Sequence, residues 1–323
     1  MEMQARLARR EERRRALRRR RRLALLALLG MAGVIAAVLV LALGGGGGSG
    51  SAARVASSAA RARARAHKKA GQQRASSRRA APGRPGTEPV PILMYHVIAT
   101  PPAGAPFPGL YVPPAEFAAQ MRALKAAGWH AVTLDEVQAY WRRGIALPPG
   151  KPIVVSFDNG YNSQYTQALP VLRELGWVGV ENLQLSGLPP SQGGLGQGQI
   201  HGLISAGWEL DTQGFSHADL VTLDAQSLRY QVAQARTTLR QRYHVPVNWF
   251  CYPSGHYDAA VVAEVRAAGF TGSTTVVPGW AHPGEDPYRL HRLRVLGGTD
   301  ATELLSLIAG IRQDPPAPAT YGS

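Results

Sequence analysis

From Pro89 onward the sequence predicts one α/β domain, best accommodated as a single barrel of strands wrapped by helices. Three observations predict it. Short apolar runs alternate with amphipathic stretches across residues 89–311. Glycines stand just past the ends of five of those stretches, at Gly128, Gly144, Gly176, Gly207 and Gly269, where a helix commonly closes on a left-handed residue. No Gly-rich phosphate loop follows the first apolar run, so the rival topology, a doubly wound open sheet, lacks its usual nucleotide signature.

Taken in order, the elements follow a β-α rhythm. "VPILMYH" is a strand, 115–127 a helix, "AVTL" a strand and 136–143 a helix. "IVVSF" is then a buried strand leading to a helix at 165–175. "WVGVENLQL" and "WELDTQ" are strands separated by a helix near 200–206. A long helix over 225–243, the strand "NWFCY", a helix over 259–268, the strands "TGSTTV" and "LHRLRVL", and a helix over 302–311 complete the domain. Residues 312–323 read as a disordered tail.

The chain ahead of this domain is of another kind. Residues 1–88 hold 21 Lys and Arg against 4 Asp and Glu, leaving 15 against 17 in the remainder, so the net charge of +15 belongs wholly to the N-terminal part. That basicity flanks an uncharged apolar segment, Leu23 to Leu43, long enough at 1.5 Å per residue to cross a hydrocarbon core of about 30 Å. Eleven arginines among residues 1–22 predict a basic cytoplasmic tail by the positive-inside rule, with the domain outside the cytoplasmic membrane. A cleaved signal peptide is the competing reading, although its apolar region is usually shorter. Residues 44–88, rich in Gly, Ala, Ser and Arg, read as a disordered linker. Their charge suits solubility and attraction to anionic wall polymers or headgroups, and predicts no specific nucleic-acid partner.

Within the domain, "VVSFDNGYNSQY" places Asp158 and Asn159 where a buried strand runs into a loop. In α/β folds the carboxyl ends of the strands open onto the ligand-binding face, which makes the pair a candidate site. Cys251 is the single cysteine, so no intramolecular disulfide forms, and a lone thiol in a strand reads as packing.

Four stretches, "PILMYHVI", "VVSFDNGYNSQYTQALPVLRELGW", "ISAGWELDTQGFSHADLVTL" and "FCYPSGHYDAAVVAEVRAAGF", together resemble the polysaccharide deacetylases, metal-dependent enzymes that remove acetyl groups from chitin-like and peptidoglycan chains. The resemblance implies a distorted (β/α)7 barrel, and a divalent metal, usually zinc, polarising the acetyl carbonyl and a bound water. It puts Asp158 at the general-base position, and Asn159, Gln213 and His217 at the three metal-ligand positions. Only His217 keeps the family's residue type there; a carboxylate and an imidazole have become amides, which predicts a metal site that is weakened or absent. The "YPSG" stretch implies that the Ser254 backbone N–H donates to the oxyanion.

Strand alternation puts Glu209, Asp211 and Gln213 on one face, so Asp211 is a candidate replacement oxygen ligand; a structural hydrogen bond to a neighbouring loop is the alternative. His96, His282 and His291 are candidate proton donors by type, with His96, at the end of the first strand, carried forward. Tyr161, Tyr252, Tyr257 and Trp280 are candidate sugar-stacking residues near the mouth, and Phe215 is a fifth; core packing is the alternative for each and the more expected fate of Phe215. The expected function is a membrane-anchored, extracytoplasmic hydrolase of acetyl amides on cell-wall or extracellular glycan, with Asp158 as base. The alternative is a glycan-binding protein without catalysis, and a mainly structural envelope protein is a third reading.

Overall fold

The computed structural model describes residues 83–186, 188, 193–311 and 317–322. Its strands are β1 (Val90–Tyr95), β2 (Trp129–Ala131), β3 (Lys151–Asn159), β4 (Val180–Leu183), β5 (Glu209–Thr212), β6 (Trp249–Cys251), β7 (Gly272–Pro278), β8 (Trp280–Ala281) and β9 (Leu290–Arg294). Seven of them close a ring in the order β1-β3-β4-β5-β6-β7-β9 and back to β1, with every neighbouring pair parallel. Closure rules out the open doubly wound sheet. β2 pairs with the beginning of β3, and β8 runs antiparallel to the first residues of β1.

The helices are α1 (Pro114–Ala126), α2 (Leu134–Arg143), α3 (Leu169–Glu174), α4 (Gln197–Ser205), α5 (Ala225–Arg229), α6 (Ala235–Tyr243), α7 (Ala259–Ala267) and α8 (Ala301–Gly310). A π turn, Gln164–Ala168, leads into α3, and a second, Tyr230–Gln234, joins α5 to α6, so the helix expected over 225–243 is continuous but wound wider at its centre. The "AVTL" strand is displaced. β2 ends at Ala131, and Thr133 instead caps α2, its hydroxyl accepting from Glu136 N–H while the Glu136 carboxylate accepts from Thr133 N–H. That reciprocal box satisfies two N-terminal donors, and α2 ends at Gly144, whose φ of 63° suits a residue without a Cβ.

Alternation along the strands builds two layers. Ile153, Val155 and Phe157 of β3, with Leu93 and Tyr95 of β1, pack outward against Phe117, Met121 and Leu124 of α1 and Leu172 of α3. Ile92, Val154, Val180, Trp249 and Leu290 form a second, separate apolar cluster, which fills the amino end of the barrel. Above this plug the inward positions are polar: Ser156, Asp158, Asn182 and Arg292. The carboxyl end of the barrel is therefore a site on an apolar floor.

Two predicted disordered stretches are partly ordered. Gly83 and Gly86 N–H donate to Arg143 and Tyr140 carbonyls of α2, and the Trp141 indole donates to Glu88 O at 2.8 Å. In the tail, Tyr321 pairs with Tyr257 through two backbone hydrogen bonds of 2.9 Å. The segment Leu23–Leu43, the tail before it and linker residues 44–82 lie outside the described residues. Among the described residues no helix is long and apolar enough to cross a membrane.

Candidate active site

β3 carries Asp158 inward at its carboxyl end, and the chain leaves the strand through Asn159, at a φ of 77°, and Gly160. The Asp158 carboxylate is 1% exposed and fully engaged. Arg292 of β9, itself entirely buried, donates to it twice, Nη1 to Oδ1 at 2.8 Å and Nη2 to Oδ2 at 2.9 Å. Asn182 of β4 donates to Oδ1 at 2.9 Å. Arg292 is held in turn by the Thr275 carbonyl at 2.7 Å and touches Cys251 Sγ at 3.2 Å. Burial alone would raise the Asp158 pKa. The Arg292 charge and its paired hydrogen bonds, with His96 and Asn182, outweigh burial and hold it to about 2.

His96, just past β1, brings Nε2 within 3.9 Å of Asp158 Oδ2, too long for a hydrogen bond. Burial drives its pKa down to about 4 against the smaller upward pull of Asp158, so the ring is neutral near pH 7, and its Nδ1 is buried without a partner. Gln164, at the start of the first π turn, ties the rim together by donating to the His96 and Asp158 carbonyls. Burial, with a smaller push from Asp158, raises the Glu181 pKa well above the carboxylate range.

Asn159 and Gln213 do meet. Gln213 Oε1 accepts from Asn159 N–H at 3.1 Å, and Asn159 Nδ2 donates to Gln184 Oε1 at 3.0 Å. His217 stands half-buried on a left-handed residue beyond them, its pKa lowered by burial and pulled up less strongly by Asp158. The three positions thus supply one imidazole and two neutral amides already bonded to protein groups. Among the described residues no three His, Cys, Asp or Glu side chains are gathered to hold a metal. This donor set does not fit zinc, which takes thiolate, imidazole and carboxylate ligands.

Asp211 does not join these residues. Its Oδ1 accepts from Asn248 and Trp249 N–H at 3.0 and 2.8 Å, closing the gap where β5 and β6 share one registered pair, and its charged neighbours are Glu209 and Asp135. Alternation assigned Asp211 and Gln213 one face, but β5 ends at Thr212 and the chain turns there. Ser254 lies exposed on a turn at φ 55°, and Pro253 beside it packs near Gly214 of the loop after β5.

Three of the five aromatic candidates are walls of the fold. Tyr252 and Tyr257 are fully buried and donate to the Tyr288 and Pro318 carbonyls. Trp280 is on β8, at the amino end of the barrel, with its indole bonded to Ile308 O and its ring against Trp129. Tyr161 stays at the mouth, partly exposed, bridged through its backbone to Gly194. His291 and His282 are tied to Glu285, the first through Nδ1 at 2.7 Å and the second through its backbone N–H.

Arg292, which orients the Asp158 carboxylate, lies outside the four stretches that carry the family resemblance. Its signal was present in "LHRLRVL", where polar and apolar residues mix and Arg292, unlike Arg294, falls at a buried, inward position of the strand.

The sequence model of the polysaccharide deacetylase family matches residues 147–273. The chain is 25% identical over 223 residues to the Bacillus subtilis polysaccharide-deacetylase-family protein YxkH, covering 69% of this chain and 77% of that one. Among solved structures it is similar to a polysaccharide deacetylase from Bacillus cereus, with 26% identity, TM-score 0.61 and 69% of each chain covered. The fold also matches a deacetylase of Streptococcus pyogenes solved with acetate, at 22% identity and TM-score 0.64, over 69% of this chain and 99% of that one.

Proposed function

Because this chain carries a domain of the polysaccharide deacetylase family, whose members are hydrolases of carbon–nitrogen bonds other than peptide bonds and generally depend on a divalent metal, we propose that it acts on the acetyl amides of cell-wall or extracellular glycan, with Asp158 as the base. The observation that carries this reading is the Asp158 carboxylate, ionised and held in one orientation by Arg292 at the open end of the barrel. Fixed orientation favours proton transfer from a water lying over the site, while the low pKa makes the carboxylate a weak base. The Ser254 turn, next to the loop after β5, supports a backbone donor to the developing oxyanion. Since the residues present do not fit zinc, no step here runs through a metal.

One observation favours a second reading, glycan recognition without hydrolysis: Asn159 and Gln213 bond to each other where the family places metal ligands. Acetate release from N-acetylated glycan, measured for the parent and for Asp158→Ala, separates the two. Release that Asp158→Ala abolishes upholds the hydrolase; glycan binding with no release by either protein upholds the second reading. Attachment through Leu23–Leu43, with the domain outside the cytoplasmic membrane, is part of the proposal and is supported by the arginine-rich end ahead of that segment. Cleavage of residues 89–323 by protease added to intact spheroplasts is the expected result, and their protection would reverse the orientation.

A further inference from the structure

The loop after β5 carries an aromatic step beside the candidate site that no motif assigns. Phe215 lies in the short segment between Gln213 and His217, and its backbone is pinned on both sides. Its N–H donates to the Gln231 carbonyl at 3.0 Å and to Gln231 Oε1 at 3.1 Å. Its carbonyl accepts from Ser186 N–H at 2.6 Å, and Leu185 N–H donates to Gly214 O at 3.2 Å. Ser216 adds two bonds to the same Gln231 side chain, at 2.9 and 2.8 Å. Gly214 and His217, both at positive φ, bracket the step.

Phe215 is partly buried, and Tyr230 beside it is exposed. Phe215 packs on Tyr230 with centroids 4.5 Å apart and planes at 37°. Neither belongs to a core cluster, and Tyr230 is 48% exposed. Tyr230 opens the second π turn and Gln231 follows it. The wider winding of such a turn releases carbonyls from the regular ladder and is common at functional sites, and here the Gln231 carbonyl is spent on the loop. A rigid tyrosine in water, next to hydroxyl and amide groups, offers contact area at little entropic cost. Its amphipathic surface matches a pyranose ring, which has an apolar C–H face and a hydroxyl rim.

We propose that Phe215 and Tyr230 form a sugar-stacking subsite one or more units along the chain from the acetylated sugar at Asp158, so that the ligand is an extended pyranose polymer and not an isolated acetylated sugar. This rests on the glycan reading above, and continuity with the candidate site is its argument: one residue, Gly214, separates Gln213 from Phe215, and one, Ser216, separates Phe215 from His217. The step binds; it does not react.

Titration calorimetry on the purified full-length chain, with the hexamer and the monomer of N-acetylglucosamine, tests the subsite. Tyr230→Ala should weaken hexamer binding at least about fivefold, leave monomer affinity within about twofold and leave thermal unfolding unchanged, while Tyr230→Trp retains hexamer affinity. Hexamer affinity of Tyr230→Ala within twofold of the parent overturns the subsite. Equal losses for hexamer and monomer also overturn it, because they put the ring at the first sugar. A parent that binds neither sugar defeats the glycan reading itself, and so is distinguishable from failure of the subsite alone.

Discussion

Arg292→Met removes the cation that neutralises the buried Asp158 carboxylate while keeping most of the alkyl stem. Asp158 has a folded-state pKa of about 2 against 3.8 in the unfolded chain, which at ~1.4 kcal/mol per pH unit contributes about 2 kcal/mol at neutral pH. The sign follows from the depression: the contribution is present above pH 3.8 and is lost as pH falls through about 2. Without Arg292 the remaining influences are burial, which raises the pKa, and the weaker help of Asn182 and His96, so the contribution changes sign and the loss grows. Breaking buried pairs of this kind costs about 3–5 kcal/mol, and the two routes agree. Urea unfolding of parent and variant should show a difference of about 3–5 kcal/mol at pH 7 that narrows toward pH 4, as the orphaned Asp158 takes up a proton. A difference below about 1 kcal/mol at pH 7 with an unchanged denaturant slope would refute the pairing. A gap that does not change with pH would assign the loss to the packing of the arginine stem.

Further outcomes follow from the same geometry. Asn159→Asp combined with Gln213→His should leave about one zinc per chain after dialysis, measured by atomic emission, where each single variant holds little, because three well-placed ligands are needed to retain the ion. Asp211→Asn keeps an oxygen for the Asn248 and Trp249 amides but removes a carboxyl whose pKa is raised by burial and by Asp135, against the hydrogen bonds of Glu209 and those amides. A raised pKa gives stability at acid pH that fades as pH rises past 3.8, so the variant should match the parent near pH 4 and exceed it by about 1–2 kcal/mol at pH 8 in denaturant unfolding. Trp280→Phe should cost about 1–2 kcal/mol through the lost bond to Ile308 O and a smaller ring, with glycan affinity unchanged in calorimetry.

The sequence by itself determined a good deal of this. The β-α rhythm, the glycines at helix ends and the placement of Asp158 and Asn159 at a strand's exit are local properties, set by side-chain periodicity and backbone conformation within a few residues. The replacement of two expected ligands by amides was equally legible, since it is a matter of residue type at a matched position. Only the tertiary structure decided what faces Asp158, because Arg292 lies 134 residues away along the chain and comes opposite through closure of the barrel. Closure likewise gave Asp211 the amides of Asn248 and Trp249, at the entry to β6, to serve, which alternation within one strand does not encode. Tyr252, Tyr257 and Trp280 show the same limit: residue type says that an aromatic ring will be buried against something apolar, but the layer it enters and the carbonyl its polar atom finds depend on elements distant in sequence. Residue type places Phe215 among rings that could stack or pack; that it lies partly buried against the exposed Tyr230 depends on the π turn that brings Tyr230 and Gln231 to the loop after β5.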